Sequence, residues 1–343
     1  MTKKRRATRP ESSAATKKSA EPISRAWRVW VAQNLLRGVE RAQIEARLAA
    51  EGLSATAAAS AIDEVLRSAV YEAALPLARD ARRSAMIAKL RRAVGAASPQ
   101  GVARVATPDA NTLRAVFAAH ATPVVFTDLV TRWPAFQKWT PSWLREHYGE
   151  ESVDVMCGRD ADPDYDPHAA ELTRAMPLRQ LIDALEAGPS NDLYLVARGR
   201  ALEKTRLREL WADVAMPEGY LSDPSARGGQ LWIGPAGTLT PLHHDTSSII
   251  FCQVYGRKRW LLIAPEEATL LDGARSLYAG LDPERDDMGR ARVREVVLEA
   301  GEALYVPVGY WHHVRALDPS ISVAINALPF DNHFDWYRPG QIR

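Results

Sequence analysis

Cysteine is nearly absent from this chain: Cys157 and Cys252 are the only two among 343 residues. Two cysteines exclude a disulfide framework and a Cys-rich zinc module. Both are expected as small buried side chains in a protein that matures in a reducing compartment. Long apolar runs are missing too, and none approaches the ~20 residues that a membrane helix needs. The basic N-terminus is not followed by the apolar core of a secretory signal. These absences point to the cytoplasm and away from a membrane. No internal repeat is present, which excludes a solenoid. The formal net charge is only +2, so the chain as a whole is not a polycation. What is there is ordinary for a folded protein: 46% hydrophobic and 25% charged residues. The length allows two or three domains.

The charge is unevenly placed. Residues 1–25 hold eight basic and two acidic residues, so the remainder is net negative. Residues 1–23 are rich in Ser, Thr and Ala without apolar periodicity, and are expected as a disordered basic tail. Such a tail either solubilises the protein or tethers it to nucleic acid. Residues 24–95 read as a helical accessory domain. Ser24 is a plausible N-cap before Trp27, Trp30, Val31 and Leu35. Gly38 and Gly52 end the first two helices, and Ile44 and Leu48 share one face of the second. Ala58, Ile62, Val65, Leu66 and Ala69 mark a third. A basic fourth helix is expected after Pro76, with Met86, Ile87 and Leu90 as its apolar positions. Residues 95–101 read as a linker.

From residue 102 to 343 the texture is mainly β. Strands are expected at 123–126, 153–156, 193–196, 230–234, 248–255, 259–264, 293–298, 303–307, 313–317 and 321–327, with Gly256 and Arg257 turning one strand into the next. Many antiparallel strands in about 100 residues predict a sandwich or barrel. Residues 157–168 are polar and turn-prone.

One constellation carries chemistry. In a strand, residues two apart share a side, so His243 and Asp245 can chelate one ion while His244 points elsewhere. One histidine of the distant pair His312-His313 would complete two imidazoles and one carboxylate. That set leaves three octahedral positions open and suits non-haem Fe(II) with O2. It neutralises only one of the two charges, so the site still attracts an anionic co-substrate.

The run Thr240-Pro-Leu-His-His-Asp245, then Phe251 to Trp260 (FCQVYGRKRW), then Gly301 to His313 (GEALYVPVGYWHH), resembles the JmjC/cupin-8 family of Fe(II)- and 2-oxoglutarate-dependent oxygenases. Pro123-Val-Val, Trp133-Pro-Ala and Trp139-Thr match its lead-in, and the resemblance spans about residues 105–330. Within the family the motifs look most like the asparaginyl hydroxylase that inhibits hypoxia-inducible factor. The resemblance implies a double-stranded β-helix (jelly-roll/cupin) core with flanking helices, beside the N-terminal helical bundle. It implies that His243, Asp245 and His312 bind iron, with His312 preferred because it directly follows a Trp. Lys258 would hold the distal carboxylate of 2-oxoglutarate, with Thr240 and Tyr194 as hydrogen-bond donors. Asn326 would sit near the iron-bound end, and Phe251 would be an apolar wall. The implied activity is hydroxylation of a protein or peptide side chain, with succinate and CO2 released. N-methyl demethylation by the same chemistry is an alternative. A non-catalytic binding module whose basic N-terminus engages nucleic acid is another. Two departures stand on the substrate side: Ile249 and Leu328 replace the asparaginyl hydroxylase's Asn and aromatic residue, so asparagine is not carried over as substrate.

Overall fold

The structure, a computed structural model, describes residues 23–95, 101–204, 206–223, 229–271, 277–332 and 334. The expected basic tail, apart from Ile23, and most of the expected linker lie outside the described residues. The chain divides into two compact units, residues 1–96 and 97–343.

The first unit is helical. Helix α1 (Arg25–Leu36) starts at Ser24, whose hydroxyl accepts from Trp27 N at 3.3 Å. Helix α2 (Arg41–Ala50) follows Gly38, which takes φ +81°. Helix α3 (Ala55–Leu66) is capped by Ser54. Val31, Leu35, Ile44, Leu48, Ala58, Ile62 and Val65 form one buried cluster, the apolar face that the 3.6-residue period marks. Helix α4 (Ala69–Gly95) differs from expectation: it begins seven residues before Pro76 and runs through it. The Ser68 hydroxyl accepts from Tyr71 N at 3.1 Å and so supplies the N-cap ahead of the proline.

The second unit is built on two sheets. Strands are β1 (Ala103–Val105), β2 (Val124–Phe126), β3 (Ser152–Met156), β4 (Thr173–Pro177), β5 (Gly229–Gly234), β6 (Leu239–His244), β7 (Ile249–Tyr255), β8 (Lys258–Ile263), β9 (Arg294–Leu298), β10 (Ala303–Val306), β11 (Trp311–Ala316) and β12 (Ser320–Ile325). The larger sheet has the order β1-β2-β10-β7-β12-β5, and the smaller β6-β11-β8-β9. Successive strands alternate between the two sheets from β5 to β8 and again from β9 to β12, the pattern of a jelly-roll core. β3 and β4 form a separate ribbon. Residues 193–196, expected as a strand, make only isolated bridges, Met156 to Tyr194 and Leu195 to Ile233.

The alternation of each strand feeds two cores. Val125, Ile249, Phe251, Trp260, Leu262, Leu304, Val306, Val314 and Ala324 pack into one cluster drawn from both sheets. On β7, β10 and β12 the intervening residues, among them Ile250, Cys252, Tyr305 and Val323, join the helices outside the larger sheet. Cys252 is buried as expected, whereas Cys157 is half-buried, and both are free thiols. Among the described residues no helix is long and apolar enough to cross a membrane.

Candidate metal centre

The site lies where β6 and β11 pair. His312 stands directly opposite His243 in their antiparallel ladder. Asp245 follows β6 by one residue, and its carbonyl accepts from Gly309 N at 3.1 Å, which ties the loop before β11 to the end of β6. One donor atom each from His243, Asp245 and His312 lies within 4.8 Å of the others. His312 Nε2 is 3.7 Å from Asp245 Oδ2, and the two imidazole centroids are 4.1 Å apart.

Each imidazole is fixed through its other nitrogen. His243 Nδ1 is 2.8 Å from Pro241 O, and His312 Nδ1 is 2.9 Å from Tyr310 O. A carbonyl can only accept, so both Nδ1 atoms carry the proton and both Nε2 lone pairs are left for a ligand. Burial, then the adjoining His243, pushes the His312 pKa down to about 4. It is therefore neutral where an ordinary imidazole would protonate. His244 turns to the other face of the sheet and meets the Trp311 ring edge-on at 4.7 Å.

A cavity of about 300 Å³ opens from these three residues into the space between the sheets. Tyr194, Thr240, Phe251, Trp260 and Val314 line it together with the triad. Thr240 and His243 are three residues apart, yet both face inward. A register shift explains this: Val314 pairs with Thr240 and His312 with His243, so three residue steps on β6 match two on β11. Pro241 lies in this bulge, on an edge strand, where a missing N–H costs least.

Lys258 lies behind two residues of this lining, Tyr194 and Phe251. It is 1% exposed, and its Nζ donates to Tyr194 Oη at 3.0 Å. Nζ also lies 4.8 Å from the Phe251 ring centroid. No carboxylate among the described residues pairs with it, and burial pulls its pKa down to about 7. An isolated buried ammonium is costly unless something anionic joins it. Burial raises the Tyr194 pKa, so its phenol stays protonated. Gly234 on β5 makes room for that ring: a Cβ there would lie 2.7 Å from Tyr194 Cδ2.

Six of the eight expected site residues line one space, and a seventh, Lys258, adjoins two of them, Tyr194 and Phe251. The eighth, Asn326, lies one residue beyond β12 and does not line the cavity; Ala324 does. Asn326 O accepts from Asn332 Nδ2 at 2.9 Å. Four further residues were not foreseen. Asp166, Arg198 and Tyr278 line the cavity, and the Tyr278 ring stacks on His243 with centroids 5.8 Å apart. Arg159, 1% exposed, packs over the rings of Tyr165 and Tyr194 at 4.3 and 5.0 Å and donates to Asn191 Oδ1 at 2.9 Å. These four come from irregular segments with no periodicity to read. Trp260 was accessible to reasoning, since it lies two residues beyond Lys258 on the same strand.

The donor set fits a divalent transition metal: two neutral imidazoles and one carboxylate, fixed from behind and open toward the cavity. Lys258, which has no carboxylate partner among the described residues and donates to the lining residue Tyr194, fits a carboxylate-bearing co-substrate.

A family model described as a cupin-like domain matches residues 110–335. The chain is 29% identical to Jumonji C domain-containing protein 5 of Drosophila melanogaster over 218 residues, covering 59% of this chain and 53% of that protein. It is 29% identical to lysine-specific demethylase 8 of Xenopus tropicalis over 217 residues, 59% and 47% of the two chains. It is 30% identical to HSPB1-associated protein 1 of Bos taurus over 242 residues, 60% and 47%. The chain thus spans about half the length of the curated relatives it matches.

Proposed function

The chain belongs to the cupin-like domain family, and from that premise we propose that it is an Fe(II)- and 2-oxoglutarate-dependent oxygenase acting on a protein or peptide side chain. The observation that carries the reading is the His243, Asp245 and His312 cluster on a cavity whose lining residue Tyr194 accepts from Lys258, a buried cation with no carboxylate partner among the described residues.

His243, Asp245 and His312 would hold the iron. Lys258 would pair with the distal carboxylate of 2-oxoglutarate, and Tyr194 and Thr240 would donate hydrogen bonds to it. The chemistry this group supplies when bound is oxidation of a C–H bond by O2, with 2-oxoglutarate converted to succinate and CO2. The chain's own contribution is orientation and exclusion of water. Phe251, Trp260 and Val314 keep the inner cavity apolar, and Tyr278 braces the His243 ring. Asp166 and Arg198 offer charges to a substrate side chain.

Hydroxylation is the reading drawn from the motifs. The lysine-specific demethylase named among the relatives supports oxidation of an N-methyl group as a second outcome of the same site. The motif resemblance to the asparaginyl hydroxylase is not extended to the substrate, because apolar Ile249 lines the cavity where that enzyme has an Asn. A nucleic-acid contact through the basic tail, residues 1–23, is proposed only as an accessory to this activity.

The test is anaerobic titration of Fe(II) and 2-oxoglutarate, followed by their visible charge-transfer band. A band in the wild type that is lost in His243→Ala and weakened in Lys258→Ala supports the assignment. Bound iron without a band overturns the co-substrate, and folded protein with neither supports a non-catalytic module. With peptide pools, succinate formed with gain of one oxygen atom indicates hydroxylation, and succinate with formaldehyde indicates demethylation.

A further inference from the structure

A second group of ligating side chains lies on the opposite face of the smaller sheet. β11 alternates, so Trp311, His313 and Arg315 face outward where His312 and Val314 face the cavity. His313 was expected as a residue supporting the first centre or at the surface; it is 1% exposed. Neither of its ring nitrogens has a hydrogen-bond partner among the described residues. The connection from β8 to β9 covers this face and brings Asp282 and Glu284 to it. One donor atom each from Asp282, Glu284 and His313 lies within 4.8 Å of the others. His313 Nε2 faces Asp282 Oδ1 at 3.5 Å, too far for a good N–H···O bond. A buried polar atom left unsatisfied is destabilising, so an imidazole with both nitrogens idle calls for a partner.

We propose that His313, Asp282 and Glu284 bind a divalent transition-metal ion of the zinc class, at a site separate from His243, Asp245 and His312. Donors ~2.1 Å from a tetrahedral ion stand about 3.4 Å from one another, which matches the Nε2 to Oδ1 separation. One nitrogen with two carboxylates suits zinc and its neighbours better than magnesium or calcium, which take oxygen donors. Glu284 is already engaged: Arg315 donates to it from Nε, 2.9 Å from Oε2 and 3.1 Å from Oε1, and from Nη2 to Oε2, and Arg259 Nη1 lies 3.0 Å from Oε1. A carboxylate has about four acceptor positions, so these three N–H donors orient Glu284 and leave about one position for the ion. Arg259 also shares its charge with Glu295. The nearby guanidiniums weaken the site, which is therefore expected to fill at micromolar rather than nanomolar zinc. The ion would pin a segment that matters to the first centre. Leu277 O accepts from His244 N at 3.0 Å, Ala279 N donates to Leu242 O at 2.9 Å, and Tyr278 between them stacks on His243.

The experiment is equilibrium dialysis of metal-free, full-length protein against micromolar zinc, with elemental analysis. Two equivalents are expected in the wild type and one in His243→Ala. One is expected in His313→Gln and in Asp282→Asn, the latter a half-buried position that tolerates the change. None is expected in His243→Ala/Asp282→Asn. Trypsin cleavage after Arg285, whose side chain is 81% exposed, should slow when zinc is added to the wild type and to His243→Ala, but not to Asp282→Asn. The proposal is overturned if Asp282→Asn and His313→Gln bind as many equivalents as the wild type. It is also overturned if wild-type zinc vanishes with His243→Ala alone. That second result leaves the first centre standing, so the two readings fail separately.

Discussion

Replacing Lys258 by methionine should stabilise the protein while abolishing its response to 2-oxoglutarate. Lys258 is buried without an anionic partner, and its pKa falls from 10.5 to about 7. That gap corresponds to about 5 kcal/mol of unfavourable charge burial. Methionine keeps most of the stem's volume and removes the charge. The variant also removes the hydrogen bond to Tyr194 Oη, a loss of about 1 kcal/mol. The net gain is therefore roughly 2–4 kcal/mol near neutral pH. Its pH dependence has a fixed sign. Between pH 7 and 10.5 the unfolded lysine holds a proton that the folded one does not, so wild-type stability rises with pH across that window. Below pH 7 the whole cost is present, and toward pH 10.5 it disappears. The advantage of Lys258→Met should follow, large at pH 6.5 and small at pH 10.

Urea unfolding at several pH values, with anaerobic Fe(II) present, measures this directly. Adding 2-oxoglutarate at a hundred times its Kd should raise wild-type stability by ~2.7 kcal/mol and leave the variant unmoved. A variant less stable than the wild type at pH 6.5, or an advantage that does not shrink toward pH 10, would refute the reasoning that Lys258 is an uncompensated buried cation.

Three other outcomes follow from the same geometry. Lys258 must carry its proton to pair with a carboxylate, so 2-oxoglutarate affinity should be flat below pH 7 and weaken by up to ~10-fold per pH unit above it, as read by titration of the charge-transfer band. Gly234→Ala places a Cβ 2.7 Å from the Tyr194 ring and should cost about 1–3 kcal/mol in urea unfolding, with weaker 2-oxoglutarate binding and unchanged iron stoichiometry. Asp166→Asn should raise the KM for a cationic peptide several-fold and leave the charge-transfer band intact, because Asp166 lines the cavity without belonging to the triad.

The sequence and the structure agree most where a period could be read, and part where geometry depends on an irregularity. The strands at 249–255, 258–263 and 320–325 were legible because apolar residues continue through them and turns bound them, and Gly256 does take φ +71° at one such turn. β6 was expected only at its end, around His243, and its start at Leu239 was not read, because Pro241 and the bulge interrupt the alternation that marks a strand. The same irregularity bears on the site. Thr240 and His243 would fall on opposite sides of a regular strand, and only the extra residue turns both toward Lys258 and His312. The family motif carried Thr240 to its place without supplying that reason. Asn326 shows the limit of such transfer: a strand position was carried over, but β12 ends at Ile325 and the inward position there belongs to Ala324. Asp166 and Tyr278, which line the cavity, and Arg159, which packs on the Tyr194 ring beside it, could not be read, since each sits on an irregular segment whose path is set by tertiary contacts rather than local preference. The parts of the site held by the sheets are therefore those that the sequence announces, and the parts that would choose a substrate are those it withholds. That division fits a scaffold in which the strands conserve the chemistry and the loops are free to vary what is presented to it.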